Sequence, residues 1–284
     1  MTAPYEGVPN DDDAVGAGGG NGSGGSTTEF VQAFGRGLAV VAAFDAENPR
    51  MTLSDAARRA GVTRAAARRL LHTLVQLGYV RAEERYFTLT PKILELGYSY
   101  LSALGLPEIG LPYLRQVAET VKESAYMTVL DGKETVCVAA VPMRRIWNAS
   151  ITVGTRLPAY ATAAGRAILA FEDAETVDEF LAAADLKQVT PFTTTDPGEL
   201  RVALAKAREQ GYSVVDDELE EGLRTVAVPV LDTAGQVLAS LSVSTLARPA
   251  ATAGARKKMA PALQEARAGI EADLRNMSDS VLSI

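Results

Sequence analysis

Three arginines, Arg64, Arg68 and Arg69, stand close together with Ala65 among them and His72 just after. On a helix turning ~100° per residue with Arg64 at zero, Arg68 falls near ~40°, His72 near ~80°, Ala65 near ~100° and Arg69 near ~140°. The facing arc, roughly 200–280° on the same wheel, holds Ala66, Leu70, Leu74 and Leu77, so burying those residues turns the guanidinium groups outward. A guanidinium can grip a phosphate or offer two donors to N7 and O6 of guanine, and small alanines let a helix enter a groove. A solvated helix face is the alternative reading of the same arginines. A glycine turn before the helix, the small residue Ala65 and the outward arginines together satisfy a groove-docking geometry.

Catalytic chemistry finds little material here. The chain has one cysteine, Cys137, and one histidine, His72, which exclude an internal disulfide framework and the common zinc sites. His72 sits in the basic segment and reads as a neutral surface residue near a phosphate backbone, while Cys137 lies in an apolar run and reads as a buried core thiol. Asp216, Asp217, Glu218, Glu220 and Glu221 offer carboxylates for acid–base work, but a charge run is usually a solvated face. Neither a catalytic residue, a metal nor a cofactor is expected.

Binding of a small anion has better candidates. Thr162 precedes Ala163, Ala164 and Gly165, so it can cap a helix whose first free amides belong to small residues and can be approached closely. An ordinary capped, tightly packed helix has the same start. Ser242 and Ser244 alternate with Leu241 and Val243, which puts both hydroxyls on one side of a strand, with solvent as the plain destination. The adjacent pair Arg144 and Arg145 can clamp a carboxylate, or can belong to a solvated loop.

These residues need elements to hold them. Val31, Phe34, Leu38, Val41 and Phe44 predict a first amphipathic helix ending before Asn48-Pro49. Thr52 with Asp55 resembles a capping box for a short second helix closed by Gly61, and Thr63 can cap a third through about Leu77, with Gly78 after it. Two helices joined by a glycine turn form a helix-turn-helix. Two short strands, 79–81 and 86–89, complete a winged module that places Arg81 and Arg85 on the wing. Farther on, a helix to about 124 is followed by strands 125–130 and 134–140 around Asp131-Gly132, and by strands near 212–216, 223–231 and 236–244. Helices fill 163–171, 174–184, 197–210 and 255–275, which implies an α+β domain on one antiparallel sheet.

The chain has 284 residues, 47% hydrophobic, with a net charge of −7 that argues against wholesale adhesion to nucleic acid or anionic membrane. The charge is uneven: residues 29–92 carry +4, residues 93–284 carry −7 and residues 1–28 carry −4. The expected organisation is a disordered glycine-rich acidic tail at 1–28, a basic winged module at 29–90, a linker helix at 91–106, a larger acidic domain at 107–276 and a tail at 277–284. Gly20-Asn-Gly22-Ser-Gly24-Gly25 matches G-x-G-x-x-G without the strand and helix that motif requires. The cysteine content fits a reducing cytoplasm, and no leader or membrane span is expected. Asn-Gly-Ser at 21–23 and Asn-Ala-Ser at 148–150 are then chance sequons.

The run Leu53-Ser-Asp-Ala-Ala-Arg-Arg-Ala-Gly61-Val-Thr-Arg-Ala-Ala-Ala-Arg-Arg-Leu-Leu-His72 resembles the winged helix-turn-helix of the IclR family of bacterial transcriptional regulators. Val153-Gly-Thr-Arg-Leu-Pro-Ala-Tyr160 through Gly165, and Gly211 through Glu218 to Val230, are similar to the two signature stretches of that family's effector domain. The resemblance implies a GAF- or profilin-like α+β effector domain joined by the linker helix to the winged module. It implies binding to an inverted-repeat DNA operator as a homodimer, with pairing into tetramers left open. It also implies a small organic acid held by the amides of Ala163 and Ala164 and by Leu157, Leu223, Thr225, Ser242 and Ser244. On the DNA side it implies Thr52, Thr63, Arg64, Ala65, Arg68, Arg69, His72, Arg81 and Arg85. The chain departs from the family where Thr225 replaces a frequent cysteine and Val215 stands near a frequent aspartate. Arg144-Arg145-Ile146 and the following stretch look most like the subgroup regulating β-ketoadipate and protocatechuate catabolism, which makes the arginine pair candidate ligands.

Overall fold

The computed structural model describes residues 30–45, 47–97, 105–143, 151–246 and 249–281. The glycine-rich segment, both sequons and the Arg144-Arg145 pair lie outside these residues. The chain divides into two units, Met1–Ser102 and Ala103–Ile284.

In the first unit α1 (Gln32–Ala42), α2 (Leu53–Arg59) and α3 (Arg64–Gln76) enclose a core of Val40, Ala43, Phe44, Met51, Ala56, Leu71 and Val80. The capping box forms: Thr52 Oγ1 accepts from Asp55 N at 3.3 Å, and the Asp55 carboxylate accepts from Thr52 N at 3.2 Å. Gly61, at φ +64°, makes the turn into α3, where Thr63 Oγ1 accepts from Ala66 N at 3.2 Å. The wing is a three-stranded antiparallel sheet in the order β1 (Arg50–Thr52), β3 (Tyr86–Leu89), β2 (Val80–Glu83). Its first strand is too short to show a period in the sequence.

Two apolar assignments need correction. The deepest residues of α3 are Ala67 and Leu71, while Leu77 at the C-cap is 53% exposed, because α3 meets α1, α2 and β2 across a displaced arc and its last residue extends past the core. The stripe on α1 is also largely uncovered: Phe44 is buried, but Phe34 is 68% and Leu38 50% exposed, and the buried residue of the helix is Val40, outside the stripe.

In the second unit six strands form one antiparallel sheet in the order β6-β5-β4-β9-β8-β7. They are β4 (Ala125–Asp131), β5 (Glu134–Val141), β6 (Arg156–Pro158), β7 (Ser213–Asp216), β8 (Leu223–Leu231) and β9 (Val237–Leu246). The β4–β5 turn is made at Gly132, φ +60°. The register of β4 with β5 shifts once, from Met127 opposite Ala139 to Thr128 opposite Cys137. Val138 is thereby the extra residue of a bulge, and the bulge brings Thr135 and Cys137 onto the same face as Tyr126 and Thr128.

Helix α4 (Leu106–Val121) and the long α8 (Pro249–Val281) cover the other face. A Cβ on Gly110 of α4 would lie 2.0 Å from Met127 Cε, and Tyr113 of α4 donates to the Asp273 carboxylate of α8 at 2.8 Å. The Tyr126 face carries α5 (Ala163–Leu169), which packs with α6 (Ala174–Ala183) and α7 (Pro197–Gln210) through Leu169, Phe180, Leu181, Leu200 and Leu204.

Gly105, at φ +59°, is the N-cap residue of α4, and α8 runs from Pro249 to Val281. Among the described residues no helix is long and apolar enough to cross a membrane.

Candidate functional sites: a basic helix face and a hydroxyl-lined cavity

On α3 the side chains of Arg64, Ala65, Arg68, Arg69 and His72 are all exposed. The three guanidinium groups make no ion pair with any described residue. Neighbouring arginines are tied down: Arg58 meets Asp55 at 2.8 Å, while Arg59 pairs with Asp45 and donates to Ala43 O at 2.9 Å. Asn48 donates to Asp45 and holds that carboxyl below its ordinary range. Charge on the exposed face of α3 is therefore uncompensated locally, which suits a polyanion.

The other expected contacts are placed differently. Thr63 is exposed and caps α3. The Thr52 hydroxyl is engaged inside the protein, donating to Asp55 Oδ2 at 2.6 Å while it caps α2. On the wing, Arg81 pairs with Glu83 at 3.1 Å, and Arg85 donates to Tyr86 Oη at 3.1 Å. The Tyr86 ring also carries the Arg50 guanidinium 4.1 Å from its centroid, a wing cation that periodicity gave no reason to single out.

The second unit holds a cavity between α5 and the Tyr126 face of the sheet. Leu157, Ala163, Ala164, Leu223, Thr225, Ser242 and Ser244 all line it. Thr162 Oγ1 accepts from Gly165 N at 3.1 Å, which leaves the first-turn amides of Ala163 and Ala164 beside the cavity without an intrahelical acceptor. Thr225 and Ser244 face each other across β8 and β9 with their hydroxyl oxygens 3.0 Å apart. Ser242 is buried in this wall and does not face solvent.

Sequence reasoning missed Tyr126, Thr128, Thr135, Ile151, Thr155 and Leu219, which complete much of the wall. Alternation of Tyr126 with Thr128, and of Thr135 with Cys137, was the available signal. Cys137 is buried as expected but stands at the cavity wall, donating to Ala139 O at 3.4 Å; burial pushes its thiol up to about 11, so it is neutral. Burial likewise raises the Tyr126 phenol. Among the described lining residues none is charged.

Behind the cavity the acidic run is solvated at Glu220 and Glu221, as expected, but not at the residues before them. Glu218 is buried and binds Arg166 of α5 through both carboxylate oxygens, while Asp216 pairs with Arg224 and Asp217 accepts from Gly222 N at 2.6 Å. Arg166 also donates from Nε to Tyr160 O at 2.7 Å, and Thr194 N donates to Glu218 at 2.7 Å. These carboxylates position loops and are not arranged for acid–base turnover.

Residues 33–84 match the IclR helix-turn-helix domain, and residues 98–272 match the bacterial transcriptional regulator IclR C-terminal domain. The chain belongs to the IclR family. It is 42% identical over 218 residues to the Pca regulon regulatory protein of Pseudomonas putida, covering 76% of this chain and 75% of that one. A solved transcriptional regulator from Rhodococcus sp. RHA1 is 45% identical with a TM-score of 0.79, covering 87% of this chain and all of that one. An IclR homolog from Microbacterium hydrocarbonoxydans, solved in complex with 4-hydroxybenzoate, is 29% identical with a TM-score of 0.76 over 86% of this chain and 99% of that one. As an IclR-family member the chain is a DNA-binding transcriptional regulator with an effector domain, and its relatives are named as regulators and not as enzymes.

Proposed function

We propose that the chain is a dimeric regulator of an aromatic-acid catabolic operon, whose winged modules bind the half-sites of an inverted repeat and whose cavity takes a small aromatic carboxylic acid. The cavity itself carries the reading: free amides at Ala163 and Ala164 and a wall of hydroxyls suit one carboxylate, and the apolar remainder suits a ring. The names of the Pseudomonas and Microbacterium relatives support the same chemical class. Arg64, Arg68 and Arg69 are the proposed readers of DNA, with Ala65, His72, Thr63, Arg81 and Arg85 beside the backbone. Thr52 acts there through the cap of α2. Arg144 and Arg145 remain proposed carboxylate ligands.

Dimerisation is supported by the exposed stripe of Phe30, Val31, Phe34 and Leu38, large apolar side chains that a second copy would remove from water. The protein is expected to act in the cytoplasm, where its DNA lies. A melting-temperature panel of protocatechuate, 4-hydroxybenzoate, benzoate and β-ketoadipate, paired with gel shifts on DNA selected by the full-length protein, tests the reading. Stabilisation by an aromatic acid together with a changed gel shift supports it, and a flat panel refutes it.

A further inference from the structure

We propose that Thr128 reads a neutral polar substituent on the effector ring, at the end opposite the carboxylate, and thereby sets which aromatic acids are sensed. This rests on the aromatic-acid reading of the cavity given above.

Hydrogen-bond satisfaction singles out this residue. Most hydroxyls of the cavity wall have a protein partner: Thr225 has Ser244, Thr135 donates to Leu157 O at 3.2 Å, Thr155 accepts from Thr152 N at 3.0 Å, Thr162 caps α5 and Tyr126 bonds to Ser124. Thr128 and Ser242 line the same cavity at 7% and 4% exposure, and neither hydroxyl has a partner among the described residues. Two unpaired hydroxyls opening onto one cavity leave hydrogen-bonding capacity for ligand atoms there.

Their placement gives the ligand's orientation. Ala163 and Ala164 pack with Val215 of β7 and Ala227 of β8, so the free amides lie over that side of the sheet, with Ser242 on the neighbouring β9. Thr128 lies one strand farther, on β4. Tyr126 pairs with Ser242 and Thr128 with Ser240, which makes Thr128 and Ser242 diagonal neighbours. The backbones of such neighbours are about 7–8 Å apart on one face, so a ring lying over β4 and β9 can reach both hydroxyls. The residue opposite Thr128 is Cys137, whose neutral thiol offers no charge. The described lining at this end offers the Thr128 hydroxyl and a neutral thiol, which suits a hydroxyl on the ring.

Titration calorimetry of the full-length protein with 4-hydroxybenzoate, benzoate and terephthalate tests this, using wild type, Thr128→Val and Thr128→Ser. Wild type is expected to bind 4-hydroxybenzoate about tenfold or more tightly than benzoate, and terephthalate weakest. Thr128→Val should bring 4-hydroxybenzoate to within about twofold of benzoate without weakening benzoate, and Thr128→Ser should keep the preference. An unchanged ratio, or an equal loss for both acids, overturns the role of Thr128 and leaves the aromatic-acid reading intact. Wild type binding none of the acids sinks that reading and this one with it. Circular dichroism verifies folding, and Thr128→Ala replaces Thr128→Val if the latter does not fold.

Discussion

Arg166 of α5 and Glu218 of the loop before β8 meet through two guanidinium–carboxylate bonds of 2.7 and 2.6 Å, with both side chains nearly excluded from solvent. The pair joins two parts of the cavity wall, since Ala163 and Ala164 open the helix that carries Arg166 and Leu219 follows Glu218. Removing one partner strands the other charge in the interior. Arg166→Met or Glu218→Gln should therefore lower unfolding free energy by about 3–5 kcal/mol, measured by urea denaturation. Arg166→Met combined with Glu218→Leu should recover part of that loss.

Gly165 has no room for a side chain. A Cβ there would lie 2.2 Å from Ala159 O and 2.5 Å from Ala159 Cα, both backbone atoms of the preceding turn. Gly165→Ala should destabilise the second unit by about 3 kcal/mol, at the upper end of ordinary overpacking, because backbone has to shift. It should also weaken the thermal response to the effector. A melting temperature equal to wild type would show that the turn yields freely.

The exposed arginines of α3 make a separable prediction. Arg64→Ala or Arg68→Ala should weaken binding to selected DNA by about 1–3 kcal/mol where the residue reads a base, and should flatten the salt dependence by about one counterion where it grips phosphate. Gel shifts over a salt series distinguish the two, and unchanged affinity for both variants refutes the role of the helix. Arg58→Ala, whose guanidinium is engaged with Asp55, should change affinity far less.

Cys137 gives a pH signature. Its folded thiol is raised from 9.0 to about 11, so both states keep the proton below pH 9, and above it the unfolded thiol ionises first. Stability present below pH 9 should therefore fall by about 2–3 kcal/mol as pH climbs to 11. Cys137→Ala should lack that part of the decline when the two proteins are denatured side by side. Alkylation of the native thiol at pH 8 should be slow, and fast once the chain is unfolded.

Much of this architecture is written locally in the chain. Thr52, Gly61, Thr63 and Gly78 mark the ends of α2 and α3 because caps and left-handed turns demand those residue types. The helix starts at Asp173 and Asp196 follow the same rule, each side chain accepting from the amide three residues on. What escaped reading depends on partners distant in sequence. β1 and β6 have three residues each, too few for a period, and exist because β3 and β5 pair with them. Glu218 looked solvated until Arg166, 52 residues earlier, arrived beside it. The far wall of the cavity was hidden for a similar reason, since Tyr126 and Thr128 meet Ser242 and Ser240 only when β4 takes its place beside β9.

The single extra residue at Val138 has an evolutionary consequence. Deleting it would leave the pairs Met127–Ala139 and Thr128–Cys137 next to each other in a regular ladder, so Thr135 and Cys137 would keep their places at the cavity. A lineage can therefore lose this one codon and keep the residues of the cavity wall, with only the local kink and twist of the strand relaxed.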